Sequence, residues 1–328
     1  MFISMFGAVE SGVIYAIMAL GVYLTFRVLD FPDLTVDGSF VTGAAVAALS
    51  IINGVPPILA TILAGIAGFI AGTITGLLHT KGKVNALLAG ILMMTALYSI
   101  NLRILGQPTL SMHIETTAFD QLGSVWAATG IDSLLNNLLS MTGLDRFPST
   151  WGILVFMLIL TIIIKLFTDY FLKTEVGLAI RAIGDNKRMI RSLSANTDNL
   201  TILGVGISNG LVALSGGLIA QLGGFADVGM GIGMIVIGLA SVIIGEALFG
   251  TKTIARATLA VIGGAIIYRI IVTLALRVGF LETGDMKLIT AVIVIIALIS
   301  PKILQAQREK KRRLEKRAAL SHRQAGGM

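Results

Sequence analysis

Three carboxylates fall within ten residues of the stretch LDFPDLTVDG, Leu29–Gly38: Asp30, Asp33 and Asp37, with Pro32 between the first two. The stretch separates two apolar windows, 10–28 and 39–53. Carboxylates and a broken backbone cannot face lipid, so the segment lies in water, in a cavity or buried in protein. The chemistry open to Asp33 and Asp37 is contact with a polar solute on its way across the membrane. Other polar groups sit inside apolar windows: Asn85, Thr95, Tyr98, Asn101, Asn209, Ser215, Gln221, Glu246 and Arg269. Asn85, Tyr98, Asn209 and Gln221 join Asp33 and Asp37 as the expected pathway set, although a helix–helix hydrogen bond explains any one of them equally well. Glu246 belongs near the inner end of its window and Arg269 nearer the outer end of the next, so these two are not paired.

A second charged group, Lys173–Asp198 (KTEVGLAIRAIGDNKRMIRSLSANTD), is the longest charged interruption ahead of the C-terminal tail. It holds Lys173, Arg181, Lys187, Arg188 and Arg191, with Lys165 shortly before it. Apolar residues recur through Val176, Leu178, Ile180 and Ile183, and again through Met189, Ile190 and Leu193, the spacing of two short amphipathic helices. Asp185-Asn186 would break the first, and Asn196-Thr197-Asp198 would cap the helix that follows. A polar helical pair between apolar spans reads as a docking surface, with an ordinary solvated loop as the alternative. In a docking surface Val176, Leu178 and Ile180 are the expected apolar anchors, while Arg181, Lys187 and Arg188 pair with partner carboxylates. A bulky residue at Gly177 or Ala182 would clash in the partner's groove.

Much other chemistry is excluded by residue type. Cysteine is absent, which removes disulfides and thiolate–metal sites. His79, His113 and His322 lie too far apart for ligand spacing. The sequence contains no GxxxxGK[ST] phosphate loop, no HExxH and no GxSxG. Gly204 and Gly206 sit inside an apolar window, without the strand–turn–helix context of a nucleotide fingerprint. The chain is expected neither to hydrolyse ATP nor to hold a cofactor or metal, and a passage for solutes remains.

Membrane helices must position these groups. Hydrophobic residues make up 55% of 328 and charged residues 13%, with a mean hydropathy of +0.90; soluble domains carry about 25% charged residues. Apolar windows predict spans at 10–28, 39–53, 57–79, 84–104, 151–172, 199–222, 231–250, 254–277 and 286–304. The expected fold is an all-α polytopic membrane bundle of about 8–10 transmembrane helices with a broken early segment. Its membrane domain covers 1–304, and 305–328 form a basic tail. Lacking a basic n-region, the first window reads as a retained span and not a signal peptide.

If the spans alternate, Lys81, Lys83, the 165–191 cations, Lys252, Arg256 and the tail from Lys302 to Arg323 share one side. The long segment 105–150 has Glu115, Asp120, Asp132 and Asp145 against Arg146 alone. The positive-inside rule then makes 173–198 and the C-terminus cytoplasmic and 105–150 external. Within 105–150, Ile131, Leu134, Leu135, Leu138 and Leu139 have helical spacing, fitting an interfacial helix or a lid. Gly68, Gly72 and Gly76 form a small-xxx-small face for close helix packing. The tail is expected to be solvated and drawn to anionic headgroups. Membrane lipid is therefore an expected partner, and nucleic acid is not.

Three stretches together resemble the permease subunit of an ABC importer of the branched-chain amino acid and simple-sugar type. Ser11–Ala48, SGVIYAIMALGVYLTFRVLDFPDLTVDGSFVTGAAVAA, is similar to that family's opening span and its D-L-[ST]-x-G-[SE]-like turn. Thr174–Ala182 with Asp185-Asn186, then Ala195–Asp198, resembles its cytoplasmic coupling segment. Gly229–Gly250, GMGIGMIVIGLASVIIGEALFG, resembles its Gly-rich late span. The resemblance implies that Glu175, Val176, Gly177, Leu178, Ala179, Arg181, Ala182, Asp185, Lys187 and Arg188 couple to an ATPase. It also implies separate ABC ATPase subunits carrying ATP and Mg, a second permease subunit in a homodimer or heterodimer, and an extracytoplasmic solute-binding protein. The setting is a prokaryotic cell membrane. Asp37 is an addition to the sugar-permease pattern, which turns the resemblance toward a branch associated with amino acids, branched-chain or aromatic. A simple sugar or nucleoside is the alternative solute. An ion-coupled secondary carrier and a non-transporting scaffold are the alternatives of other classes.

Overall fold

The apolar windows become helices because backbone polar groups in hydrocarbon must bond within their own segment. A computed structural model describes residues 2–113, 115–140, 147–192, 196–276, 288–293, 295 and 299. Helix α1 (Phe2–Tyr23) runs into a π-helical turn, Leu24–Val28; α2 is Thr35–Ile52, α3 Pro57–Thr80 and α4 Ala86–Leu105. Then come β1 (Thr109–Ser111), α5 (Ala118–Ala127), α6 (Ile131–Ser140), α7 (Gly152–Lys173) and α8 (Glu175–Ser192). Helix α9 (Thr197–Gly223), β2 (Phe225–Asp227), α10 (Met234–Phe249) and α11 (Ile254–Ala275) follow.

Among the described residues seven helices are long and apolar enough to cross a membrane. Helix α10 has 16 residues; at 1.5 Å per residue it is about 24 Å long, short of a hydrocarbon core of about 30 Å. It starts later than the expected 231–250 span because 228–233 form turns. Of the expected last span, 288–293 are helical and Thr290 shares a 2.7 Å hydrogen bond with Tyr268. The basic tail lies outside the described residues.

Helix α9 is the hub, packed against α1, α2, α3 and α8. The expected small-residue face of α3 is what closes on it: a Cβ at Gly72 would overlap the Val205 carbonyl, and one at Gly76 would lie 2.8 Å from Ile202 Cα. The outward residues Ile58, Ile62, Ile66, Ile70 and Ile74 make an exposed apolar stripe on α3, and Ile159, Ile163, Leu166 and Phe167 do so on α7. Surfaces of this kind are solvated by lipid tails.

One end of the bundle gathers the turn after α3, helix α8 and the turn before α11, since His79 shares a cavity with Lys187 and Arg181 shares another with Lys252. At the other end His113, Thr117, Thr150 and Gln221 line one vestibule. There β1 and β2 pair antiparallel, Leu110 opposite Ala226, a pairing that no local pattern signals. The amphipathic spacing at 131–139 does form a helix, α6, and a second one, α5, opens with a Thr117–Asp120 capping box. Lys165 lies inside α7, within the expected 151–172 span, and pairs there with Asp169 at 2.6 Å.

Candidate functional site

The chain between α1 and α2 turns back through Leu29–Leu34. Leu29 and Phe31 donate to Leu24 and Thr25 carbonyls at 3.0 and 2.9 Å, which spends the orphan acceptors left by the π-helical turn. Asp30 takes a left-handed backbone, φ 52°. Asp33 is wholly buried: one carboxylate oxygen accepts the Thr35 amide at 2.9 Å and the other the Asn209 side-chain amide at 2.6 Å. The two predicted pathway residues therefore meet, but as a bonded pair that seats the break on α9. The Asn209 side-chain carbonyl is left without a partner among the described residues.

Asp37 lies on α2, in its first turn, and not in the preceding turn. Its carboxylate accepts the backbone amides of Gly233 and Ile235 at 2.9 and 2.8 Å. It thereby caps α10 from a distance of nearly 200 residues, an anion set where the helix dipole is positive. Gly233 supplies φ 90° at that cap. A side chain at Gly231 would collide with the Asp37 carbonyl. Beside this junction is a cavity of about 370 Å³ bounded by Asp37 and Val41 of α2, Thr95, Tyr98 and Asn101 of α4, and Ile232. Tyr98 and Ile232 are more than half exposed, so the cavity opens away from the bundle on their side. The wall offers one carboxylate, a phenol and hydroxyls among apolar surface, a combination that accommodates a small amphipathic solute.

Asn85 and Gln221 of the expected pathway set lie away from this cavity. Asn85 caps α4 by accepting the Leu87 amide. Gln221 accepts the Ala118 amide and donates to Thr61, fastening α9 to α5 and α3 at the vestibule end. Asn101 donates to the Gly38 carbonyl and accepts from Thr42, holding α4 to α2 at the cavity's edge.

At the basic end α8 follows α7 after a single residue, Thr174, whose hydroxyl accepts the Gly177 amide. The expected break falls at Asn186, which has φ −157° and ψ 88° and whose side chain caps the next turn through Met189. Ile180, Ile183 and Ile190 are buried in one apolar cluster with Leu24, Val28, Leu29 and Phe31. Ile180 is thus corrected from an outward anchor to an inner one. Val176 and Leu178 are 40% and 50% exposed and remain outward, beside exposed Glu175, Asp185 and Arg188 and partly buried Ala179, Arg181, Ala182 and Lys187. Gly177 faces inward, and a Cβ there would overlap the Phe171 carbonyl, so the expected clash is with α7 and not with a partner.

A family model described as "Branched-chain amino acid transport system / permease component" matches residues 4–299. The chain belongs to this permease family. The permease is 42% identical over 285 residues to the tyrosine transport system permease protein of Clostridioides difficile (strain R20291), covering 87% of each chain. It is 36% identical over 207 residues to an uncharacterized protein of Rickettsia prowazekii (strain Madrid E), covering 63% of this chain and 64% of that one. No solved structure matches. The chain is accordingly a multi-pass membrane transport component and not an enzyme.

Sequence reading missed how the permease uses its remaining charges. Arg27, at the end of the π-helical turn, pairs with Glu246 near the end of α10. Arg269 lies 4.7 Å from the Tyr15 ring centre and donates to Ser11 at 3.2 Å, consistent with keeping it apart from Glu246. Neither pairing has a sequence signal, because the partners are far apart along the chain.

Proposed function

We propose that this permease subunit conducts an amino acid, tyrosine or a related aromatic one, across a prokaryotic cell membrane as part of an ATP-driven importer. The carrying observation is a continuous path of packing. The buried face of α8 shares an apolar cluster with the break between α1 and α2, and α2 in turn carries Asp37 to the cavity and to the start of α10. Such a path lets a rigid displacement of α8 reach membrane depth, because packed interiors transmit strain and do not absorb it. The tyrosine permease relative supports the solute class.

In this reading two permease subunits pair and ATPase subunits with ATP and Mg dock on Glu175, Val176, Leu178, Asp185 and Arg188. The basic end and the C-terminus are cytoplasmic, and a solute-binding protein delivers at the vestibule end. Asp37 and Tyr98 line the solute's route. The test is proteoliposomes holding the permease with its ATPase and binding protein. Tyrosine entry is expected only with all three and with ATP on the ATPase side. Entry driven by an ion gradient through the permease alone would replace the importer with a secondary carrier.

A further inference from the structure

A second polar cavity, of about 320 Å³, opens at the basic end between the ends of α1 and α10, the start of α11 and helix α8. Three cations line it, Arg27, Arg181 and Lys252, against one carboxylate, Glu246. Glu246 is already committed to Arg27. Among the described residues neither Arg181 nor Lys252 has an ion-pair partner. The first turn of α11 adds its positive end, with Thr251 and Thr253 at the rim. Concentrated, unneutralised cations in a concavity repel one another, and a bound anion relieves that repulsion. Arginine forks and a helix start suit phosphate oxygens in particular.

We propose that this cavity seats a phosphate group, either the headgroup of an anionic lipid or free inorganic phosphate. Leu248, Phe249 and Leu259, 62%, 43% and 58% exposed, give acyl chains a lane beside it. A phosphate held there ties α8 through Arg181 to α1 and the α10–α11 turn. Given the proposed role of α8 in coupling, the site restrains the segment that docking must move.

The experiment uses the full-length chain, alone in neutral-detergent micelles and assembled with its ATPase. It titrates inorganic phosphate, short-chain phosphatidylglycerol and chloride by thermal shift, with native mass spectrometry counting bound lipid. Phosphate or phosphatidylglycerol should stabilise the chain where chloride at equal ionic strength does not. Lys252→Gln should weaken that binding by about threefold to tenfold, Lys252→Arg should retain it, and Lys83→Gln, on the same end but outside the cavity, should leave it unchanged. Stabilisation by the lipid alone assigns the site to a headgroup, and by both ligands in competition to phosphate from either source. Equal effects of chloride, equal losses in Lys252→Gln and Lys83→Gln, or binding that vanishes once the ATPase is assembled would each overturn the proposal. The last of these would give the cavity to the partner's carboxylates.

Discussion

Replacing Ile183 with alanine tests whether α8 and the broken segment move as one body. Ile183 is 5% exposed and packs in the cluster with Val28, Leu29 and Phe31. Helix α8 is amphipathic, with charge on its outer face, so undocking returns Ile183 to water and the transfer term is lost in full. Three methylene equivalents at about 0.8 kcal/mol each give about 2.4 kcal/mol. Buried Ile→Ala changes cost about 2–5 kcal/mol once a cavity is left. A site at the bundle's end can relax, which places the loss at about 2–3 kcal/mol, or an opening equilibrium raised about 30-fold to 150-fold. Hydrogen exchange on 176–192 should accelerate by that factor, while Met189→Ala, on the 49% exposed side, should change it by less than about threefold. In the reconstituted importer, tyrosine moved per ATP should fall while the ATPase stays bound through the outer face. Unchanged exchange in Ile183→Ala, or an equal effect from Met189→Ala, would refute the mechanical link.

Three further outcomes follow from single contacts. Asp37→Asn keeps one acceptor for the α10 amides but loses the second and the charge; a cost of about 1–2 kcal/mol is expected, read as reduced uptake at normal membrane abundance. Gly72→Leu must push against the Val205 carbonyl and the Asn209 side chain; a loss above about 3 kcal/mol is expected, seen as a lowered melting midpoint in detergent. Arg27→Gln and Glu246→Gln, combined in a double-mutant cycle of stability, should couple by only about 0.5–1 kcal/mol, because the arginine side chain is 52% exposed and screened.

Fold class, most span positions and the amphipathic segment were legible in the sequence because each depends on one helix meeting one solvent. Hydropathy reports whether a window prefers hydrocarbon, and the cations around Arg181–Arg191 report a segment that does not. The glycine triplet on α3 was legible for a similar reason, since a smooth face has value only against another helix. Periodicity, however, names a face without naming its neighbour. It could not choose which way Ile180 points, nor place the Gly177 clash on α7. The Asp33–Asn209, Asp37–Gly233 and Arg27–Glu246 pairings join residues roughly 180 to 220 positions apart. Nothing local distinguishes Asp37 at the cavity from Asn85 capping its own helix, for both are polar residues at the border of an apolar window. Only the packing of α2 against α4, α9 and α10 decides that one carboxylate is buried against an amide and the next, four residues on, meets a helix start beside open space.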